Sequence, residues 1–205
     1  MEIACLDLEG VLIPEIWINV AERTGIEELK ATTRDIPDYD ELMTMRLKVC
    51  DDHGLRIDVI QDVIDGLGPL EGAADFLNWL REDFQVLILS DTFYDFAKPL
   101  MRQLGFPTLF CHKLSIDDTG RITDYHLRMP DQKREAVKRL HELNFKAIAT
   151  GDSYNDTTML GEADRGILFS PPQNVINEFP QYPVATDYDQ LRAEFQKAQK
   201  EIRGE

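Results

Sequence analysis

The chain has 205 residues, and its 38 acidic against 22 basic side chains leave a formal net charge of −16. This length is enough to bury a core within one domain that carries an insertion. So negative a chain repels phosphate backbones, and we expect no nucleic-acid partner. Its apolar runs are far shorter than the roughly 20 residues that cross a bilayer, and its first residues lack the pattern of a signal peptide. We therefore expect a cytoplasmic protein with no membrane partner.

Short runs that are apolar throughout predict five strands, at residues 3–8, 86–90, 108–111, 147–150 and 166–169. Strands without polar alternation are buried on both faces, as in parallel sheets that helices cover. Helical periodicity at 73–81 and 96–104 supplies such helices, and 187–203 is predicted to be a closing helix with Asp187 as its N-cap. The pattern predicts an α/β fold with a doubly wound parallel sheet, which is a Rossmann-like core.

Two segments interrupt the alternation of strands and helices. Residues 14–68 contain helical patterns at 16–23, 39–53 and 59–67, with a turn at Ile36-Pro37-Asp38 between the first two. We interpret 14–68 as a small helical cap inserted after the first strand of a core that comprises 1–13 and 69–205. Within residues 114–129, the turn sequence Asp117-Asp118-Thr119-Gly120 between two strand-like runs predicts a β-hairpin.

Acidic side chains gather where the predicted strands end. Asp7 and Glu9 follow the first strand, and Asp152 and Asp156 follow the fourth. The carboxyl ends of parallel strands meet at one edge of the sheet, where ligands bind. A single Asp at such a place is as often a helix N-cap or a turn former. Several together need a cation, and Asp7, Asp152 and Asp156 offer the oxygen ligands that suit Mg²⁺.

Four motifs resemble those of the haloacid dehalogenase-like phosphatases. Asp7-Leu8-Glu9-Gly10-Val11 matches the first motif, Asp-x-Asp-Gly-Thr/Val, and Ser90 at a strand end matches the second. Lys133, a basic residue before the fourth strand, matches the third, and Gly151 through Asp156 match the fourth, Gly-Asp-x-x-x-Asp. The motifs keep the family order, and the resemblance covers essentially the whole chain. It implies a Mg²⁺-dependent phosphohydrolase.

The resemblance also implies a role for each matching residue. Asp7 would be the nucleophile that forms an aspartyl phosphate, as well as a metal ligand. Glu9 would be the general acid and base, and it joins the metal-binding set through its side chain or its backbone. The family has Asp at this position, so Glu9 is longer by one methylene group. Lys133 and Ser90 would bind the oxygens of the transferring phosphoryl group.

Two charged residues of the predicted cap bear on the substrate. Arg46 lies at helical spacing from apolar residues and therefore projects from an apolar face. It either snorkels or pairs with a carboxylate of the cap, or it binds a substrate carboxylate with its two-pronged guanidinium. Glu15 either stabilises the dipole of the helix that follows it or receives a substrate ammonium. Together, Arg46 and Glu15 would bind an amino-acid zwitterion.

This pair resembles the phosphoserine phosphatase branch of the family. The segments DLEGV, ILSDTF and GDSYNDTTML further resemble the bifunctional phosphoserine phosphatase/homoserine phosphotransferase proteins. The resemblance implies a small-molecule substrate, phosphoserine, whose phosphoryl group passes from Asp7 to water or to homoserine. It also implies that Ser90, Asp91, Lys133 and Asn155 contact the phosphate and the substrate. The oligomeric state stays open, and a homodimer is compatible with the sequence.

Two other functions are compatible with the same motifs. A phosphatase of another small metabolite, such as a sugar phosphate or a nucleotide, would share the core chemistry and differ at Glu15 and Arg46. A non-catalytic phospho-acceptor domain also groups acids and a lysine around Mg²⁺. The cap, Glu9 and the second Asp of the 151–156 motif argue against that domain.

Overall fold

A computed structural model describes residues 1–32, 35–36 and 38–205. The predicted turn at Ile36-Pro37-Asp38 includes Pro37, which lies outside these residues. The strands of the described chain are β1 (Glu2–Leu6), β2 (Gln85–Phe93), β3 (Thr108–Ile116), β4 (Ile122–His126), β5 (Lys146–Gly151), β6 (Arg165–Phe169) and β7 (Val184–Ala185). They form one sheet in the order β4-β3-β2-β1-β5-β6-β7, in which only the β3–β4 pair is antiparallel.

Helices cover both faces of this sheet. They are α1 (Ile16–Thr24), α2 (Tyr39–Asp52), α3 (Ile57–Asp65), α4 (Ala73–Asp83), α5 (Tyr94–Gln103), α6 (Gln132–Glu142), α7 (Thr157–Glu162), α8 (Gln173–Glu178) and α9 (Tyr188–Arg203). Successive residues of β1 belong to different apolar clusters: Ala4 and Leu6 to one, Ile3 and Cys5 to the other. Side chains of α4, α5 and α9 complete the first cluster, and those of α6, α7 and α8 complete the second. The predicted doubly wound α/β fold is therefore confirmed.

The structure also shows where the sequence pattern was incomplete. The hairpin at 117–120 is present, but its first strand is the end of β3, which runs on to Ile116. The first strand ends at Leu6 rather than at residue 8, because the next residues form a turn. Strand β7 and helices α7 and α8 were not predicted, since two to six residues are too few for a periodic pattern. Asp187 caps α9 as predicted, accepting a hydrogen bond from the Gln190 N–H at 2.8 Å.

The helical segment between β1 and α4 shares its hydrophobic core with the sheet. The buried Trp17 ring of α1 lies edge-on to Phe96 of α5, with ring centroids 5.2 Å apart, and α3 packs against both α1 and α5. Residues of α1, α3, α5 and β1 belong to one continuous apolar cluster. The cap boundaries at 14 and 68 stay a prediction, because this packing marks no separate core for the segment.

The β3–β4 hairpin contacts α2 and the start of α3. The Tyr125 hydroxyl donates a hydrogen bond to Asp40 at 2.5 Å, and Arg121 forms an ion pair with Asp51. The backbone N–H of Ile57 donates to the Gly120 carbonyl at 2.9 Å. The hairpin thus fixes the position of α2 from the side opposite the sheet core. In the chain described, none of the helices has the length and apolar character needed to span a bilayer.

We expect Phe96→Ala to lower the free energy of unfolding by about 3–5 kcal/mol, because it empties a fully buried site between α1 and α5. The matched control is Leu143→Ala, since Leu143 is 68% exposed and should change stability by no more than about 0.5 kcal/mol. Urea denaturation followed by circular dichroism measures both. An equal effect of the two substitutions would contradict the shared core.

The two tryptophans test the same packing separately. Trp79→Phe leaves Trp17 of α1 as the only tryptophan, and Trp17→Phe leaves Trp79 of α4. If the core is shared, the fluorescence transition of each variant has the same midpoint as the circular dichroism transition of that variant. A Trp17 signal that changes before the circular dichroism signal would show that the helical segment unfolds on its own.

Candidate active site

A cavity of about 300 Å³ opens where β1, β2 and β5 end, below helices α1 and α2. It brings together residues that are up to 148 positions apart in the sequence, from Asp7 to Asn155. All of the sequence-predicted site residues except Asp156 line it: Asp7, Glu9, Glu15, Arg46, Ser90, Asp91, Lys133, Asp152 and Asn155. Asp156 is fully buried beneath them.

The turn after β1 places Asp7 at the floor of the cavity. The Asp7 N–H donates to the Thr150 carbonyl of β5 at 2.9 Å, which extends the β1–β5 pairing by one residue. Gly10 then adopts a left-handed conformation, with φ +75°, and a Cβ there would lie 2.6 Å from the Asp152 carboxylate. Glycine is therefore required for two reasons, its backbone conformation and the close approach of Asp152.

Lys133, at the start of α6, is the buried cation of the site. Its ammonium lies 2.9 Å from Asp7 Oδ1 and 2.7 Å from Asp156 Oδ1. Burial alone would lower the pKa of Lys133, but the carboxylates of Asp156, Asp7 and Asp91 hold it well above its usual value. The lysine is therefore charged, as its predicted phosphate-binding role requires.

Asp156 shapes the turn that carries the other acid. Its Oδ2 accepts hydrogen bonds from the backbone N–H groups of Asp152 at 3.0 Å and Ser153 at 3.1 Å. Its Oδ1 accepts from Lys133. Both carboxylate oxygens of Asp156 therefore accept hydrogen bonds from the protein, and these bonds fix the positions of Asp152 and Lys133.

Asp7, Asp152 and Asp156 form an acidic group that could hold a metal ion. One carboxylate oxygen from each lies within 4.8 Å of the other two. Burial, and next the charges of Asp156 and Glu15, raise the pKa of Asp152 to about 7. Burial and the same crowding raise the pKa of Asp7, against the opposing effect of Lys133. An all-oxygen donor set under this mutual repulsion fits a hard divalent cation.

Glu9 points away from that acidic group. Its Oε2 accepts a hydrogen bond from the Ile16 N–H at 2.8 Å, which turns the carboxylate toward the start of α1. Burial, and next the charge of Glu15, raise the pKa of Glu9 to about 7 despite this hydrogen bond. The structure therefore does not bring the Glu9 side chain to the place where the sequence put a metal ligand. It does keep Glu9 in the cavity, as a group that holds a proton near neutral pH.

Arg46 is buried in the wall that α2 contributes. Its Nη2 donates to the Ala31 carbonyl at 2.9 Å, and the guanidinium lies over the Trp17 ring, 4.8 Å from the centroid. Within the described part of the chain, Arg46 forms no ion pair with a carboxylate, and its Nε has no hydrogen-bond partner. The internal pairing considered for Arg46 is thus absent there. Glu15 is exposed and lines the same cavity.

Sequence reasoning missed several residues around Ser90 and Asp91. Gln132 donates through Nε2 to the Ser90 carbonyl and, at 3.3 Å, to Asp91 Oδ1. The Tyr39 hydroxyl donates to the Asp91 carbonyl at 3.0 Å. The only signal for Gln132 was its position next to Lys133, and nothing in the sequence distinguished Tyr39 from other residues of its predicted helix.

An aspartate against a buried lysine, at the carboxyl edge of a doubly wound sheet, is an arrangement that can accept a phosphoryl group in an α/β protein. The chain belongs to the haloacid dehalogenase-like hydrolase family, which its residues 1–164 match. The family resemblance seen in the motifs is thereby confirmed.

Named relatives agree with this assignment. The chain is 65% identical over 198 residues to phosphoserine phosphatase ThrH of Pseudomonas aeruginosa, an alignment that covers 97% of each chain. It is 64% identical to a phosphoserine phosphatase of Pseudomonas syringae pv. tomato, over 97% of this chain and 84% of that protein. A solved phospho-aspartyl intermediate analogue of phosphoserine phosphatase has a TM-score of 0.78, covering 94% of this chain and 98% of that one. At 20% identity, that likeness shows the fold.

We expect Gly10→Ala to weaken binding of a divalent cation by at least tenfold, because the new Cβ displaces the Asp152 carboxylate. Gly25→Ala is the matched control, since Gly25 has φ +73° and open space where the Cβ would be. Both substitutions carry a similar backbone strain of about 1 kcal/mol, so Gly25→Ala shows what this strain alone does to the melting temperature and to cation binding. Calorimetric titration with Mg²⁺ separates them. Equal cation affinity in the two variants would contradict a role for the Gly10–Asp152 contact.

Proposed function

We propose that the protein is a phosphoserine phosphatase, which hydrolyses the phosphomonoester through an aspartyl phosphate on Asp7. One observation carries the proposal: the cavity has the buried Asp7–Lys133 pair on its floor and, in its wall, the buried Arg46, which forms no ion pair with a carboxylate among the described residues. The Asp7–Lys133 pair suits a phosphoryl group, and Arg46 suits a carboxylate. High identity to two phosphoserine phosphatases supports the same substrate.

Asp7 is the nucleophile in this proposal. Its carboxylate attacks the phosphorus atom, and the bond from phosphorus to the serine oxygen breaks. Lys133 neutralises Asp7 and, with Ser90, faces the phosphoryl oxygens from the same cavity. Fixed charges and donors of this kind stabilise a phosphoryl transition state more than its ground state.

Asp7 and Asp152 would hold Mg²⁺, the cation that we propose as cofactor. Asp156 supports them, because its oxygens are already engaged by Lys133 and by the turn amides. When bound, the ion offsets the repulsion between the carboxylate nucleophile and the phosphate dianion. The backbone of Glu9, rather than its carboxylate, is the part of that residue compatible with the metal-binding role predicted from the sequence.

Glu9 moves the protons. With a pKa of about 7, it can donate a proton to the departing serine oxygen and then take one from the water that attacks the aspartyl phosphate. The Ile16 N–H keeps the side chain in one orientation through both steps. Because Glu9 is longer than the family's Asp by one methylene group, its carboxylate can reach the first turn of α1.

Arg46 and Glu15 provide the selectivity for an amino acid. The guanidinium is buried and held by Ala31 and Trp17, so its charge would attract a substrate carboxylate in the cavity. Glu15 lies in the same cavity and can receive the ammonium group. A sugar phosphate or a nucleotide would leave the buried Arg46 charge without a partner, which disfavours both.

We expect Arg46→Ala to raise KM for phosphoserine by at least 50-fold, on the order of the 2–3 kcal/mol that a charge-assisted pair contributes. KM for p-nitrophenyl phosphate, which has no carboxylate, should change by less than about threefold. Steady-state kinetics with both substrates measures the split. Lys48→Ala is the matched control on α2, since Lys48 is exposed and pairs with Asp52 alone. Equal loss with both substrates would rule out the zwitterion site.

A second activity follows from the same site, namely phosphoryl transfer to homoserine. Arg46 and Glu15 would bind the amino-acid end of any small amino alcohol, whether it leaves as serine or arrives as an acceptor. Glu9 can take the proton of the attacking hydroxyl as it takes that of water. Homoserine is longer than serine by one methylene, which the cavity of about 300 Å³ can admit.

Incubation with phosphoserine, Mg²⁺ and homoserine tests both activities, with ³¹P NMR as the measurement. Free phosphate without homoserine confirms the hydrolase, and phosphohomoserine in its presence confirms transfer. We expect both signals, and omission of Mg²⁺ should remove both. Phosphate alone in every sample would exclude transfer. A stable phosphoprotein without turnover would exclude the hydrolase and favour a phospho-acceptor domain.

A further inference from the structure

We propose that Asp91 is a positioning residue, which fixes Asn155 and Lys133 for phosphoryl transfer and does not itself bind the substrate. The inference deepens the proposed function and rests on it. Asp91 lines the cavity and follows Ser90 directly, so its sequence position suggested a substrate contact. Its surroundings point to a different role.

The Asp91 carboxylate is engaged mainly by protein groups, while 31% of its side chain stays exposed. An ionised carboxylate offers about four lone-pair positions, and four protein groups approach it. Gln132 Nε2 lies 3.3 Å and His112 Nε2 lies 3.5 Å from Oδ1. Asn155 Nδ2 lies 3.0 Å and Lys133 Nζ lies 3.4 Å from Oδ2. The contacts of Asn155 and Gln132 are hydrogen bonds, and those of Lys133 and His112 are longer electrostatic contacts.

Two of these four groups are themselves fixed by Arg128. The Arg128 backbone N–H donates to His112 Nδ1 at 3.1 Å, which leaves the ring proton on Nε2, facing Asp91. The Arg128 side chain donates through Nε to Gln132 Oε1 at 3.2 Å, which turns the Gln132 amide nitrogen toward Asp91. Both His112 and Gln132 are buried. Asp91 is therefore held from behind by a fixed set of donors.

The other two groups belong to the reaction site. Asn155 lies in an exposed turn, where its side chain contacts Asp91 through Nδ2 and Ser153 through Oδ1. That turn also carries Asp152 and Asp156. The Asp91–Asn155 hydrogen bond thus joins the end of β2 to the acidic turn after β5. Together with the Ser153 hydroxyl at Oδ1, it fixes the orientation of the Asn155 amide.

The charge of Asp91 also argues against phosphate binding. Burial would raise the pKa of Asp91, but Lys133 and the donors from His112, Asn155 and Gln132 hold it far below its usual range. Asp91 is thus an anion within 3.4 Å of the lysine that faces the phosphate. An anion at this place repels a phosphate dianion. Neutral asparagine would remove that repulsion and also the orientation of Asn155 and Lys133.

The experiment compares Asp91→Asn with the wild-type protein in steady-state hydrolysis of phosphoserine, with inorganic phosphate as product inhibitor. We expect kcat to fall about 10- to 100-fold, as for displaced catalytic groups. KM and the inhibition constant of phosphate should be unchanged or lower. A merely structural role would not produce this split. A tenfold rise in either constant with an unchanged kcat would show that Asp91 acts in substrate binding, and no change in kcat or in either constant would show that it positions nothing.

A second test uses Asp91→Ala, Asn155→Ala and the double variant, with melting temperatures to confirm folding. If Asp91 acts through Asn155, the double variant loses no more kcat than the worse single variant. Multiplied losses would overturn the coupling. The wild-type arm keeps the two proposals apart: no hydrolysis of phosphoserine by the wild type refutes the proposed function, whereas normal wild-type turnover with an unaffected Asp91→Asn refutes only the role of Asp91.

Discussion

The site depends on one buried ammonium group surrounded by carboxylates. Lys133 Nζ lies within 3.4 Å of oxygens from Asp7, Asp91 and Asp156. Burying a single charge costs several kcal/mol, and paired ions offset that cost only when their geometry is good. These carboxylates come from the ends of β1 and β2 and from the turn after β5, so the charges meet only when the parallel sheet has formed. The fold and the site therefore require each other.

The same cluster explains the need for a cation and a phosphate. One lysine cannot balance Asp7, Asp91, Asp152 and Asp156, and this shortage appears as the raised pKa values of Asp7 and Asp152. The whole chain, at −16, supplies no compensating field. A divalent cation at Asp7 and Asp152 relieves the repulsion and at the same time attracts a phosphate dianion. A divalent cation held by these carboxylates would therefore assist the binding of phosphate, and the oxygen donor set is the chemical reason.

The sequence predicted the site correctly where a residue's position depends on the strand that it follows. Asp7, Ser90 and Asp152 each follow an apolar run, and the ends of parallel strands must converge, so their meeting was predictable. The prediction failed where the role of a residue depends on the direction of its side chain. The Glu9 carboxylate turns to Ile16, seven residues away, because a free helix N–H lies within its reach. Asp91 was predicted to contact the substrate because it follows Ser90, and the approach of His112, Gln132 and Asn155 supports the positioning role that we propose instead. Such donors lie 21 to 64 residues away in the sequence, and no periodic pattern marks them.

Specificity follows from packing as much as from charge. Under the proposed function Arg46 binds the substrate carboxylate, and Trp17 and Ala31 fix the position of its guanidinium. Trp17 in turn packs on Phe96 of the sheet-covering helix α5, and α2 is attached to the β3–β4 hairpin through Asp40 and Asp51. The helical segment and the hairpin, which both interrupt the α/β alternation, therefore meet at α2. Arg46 of α2 lines the same cavity as Asp7, so under the proposed function the helical segment and the hairpin together would select which phosphomonoester the site admits.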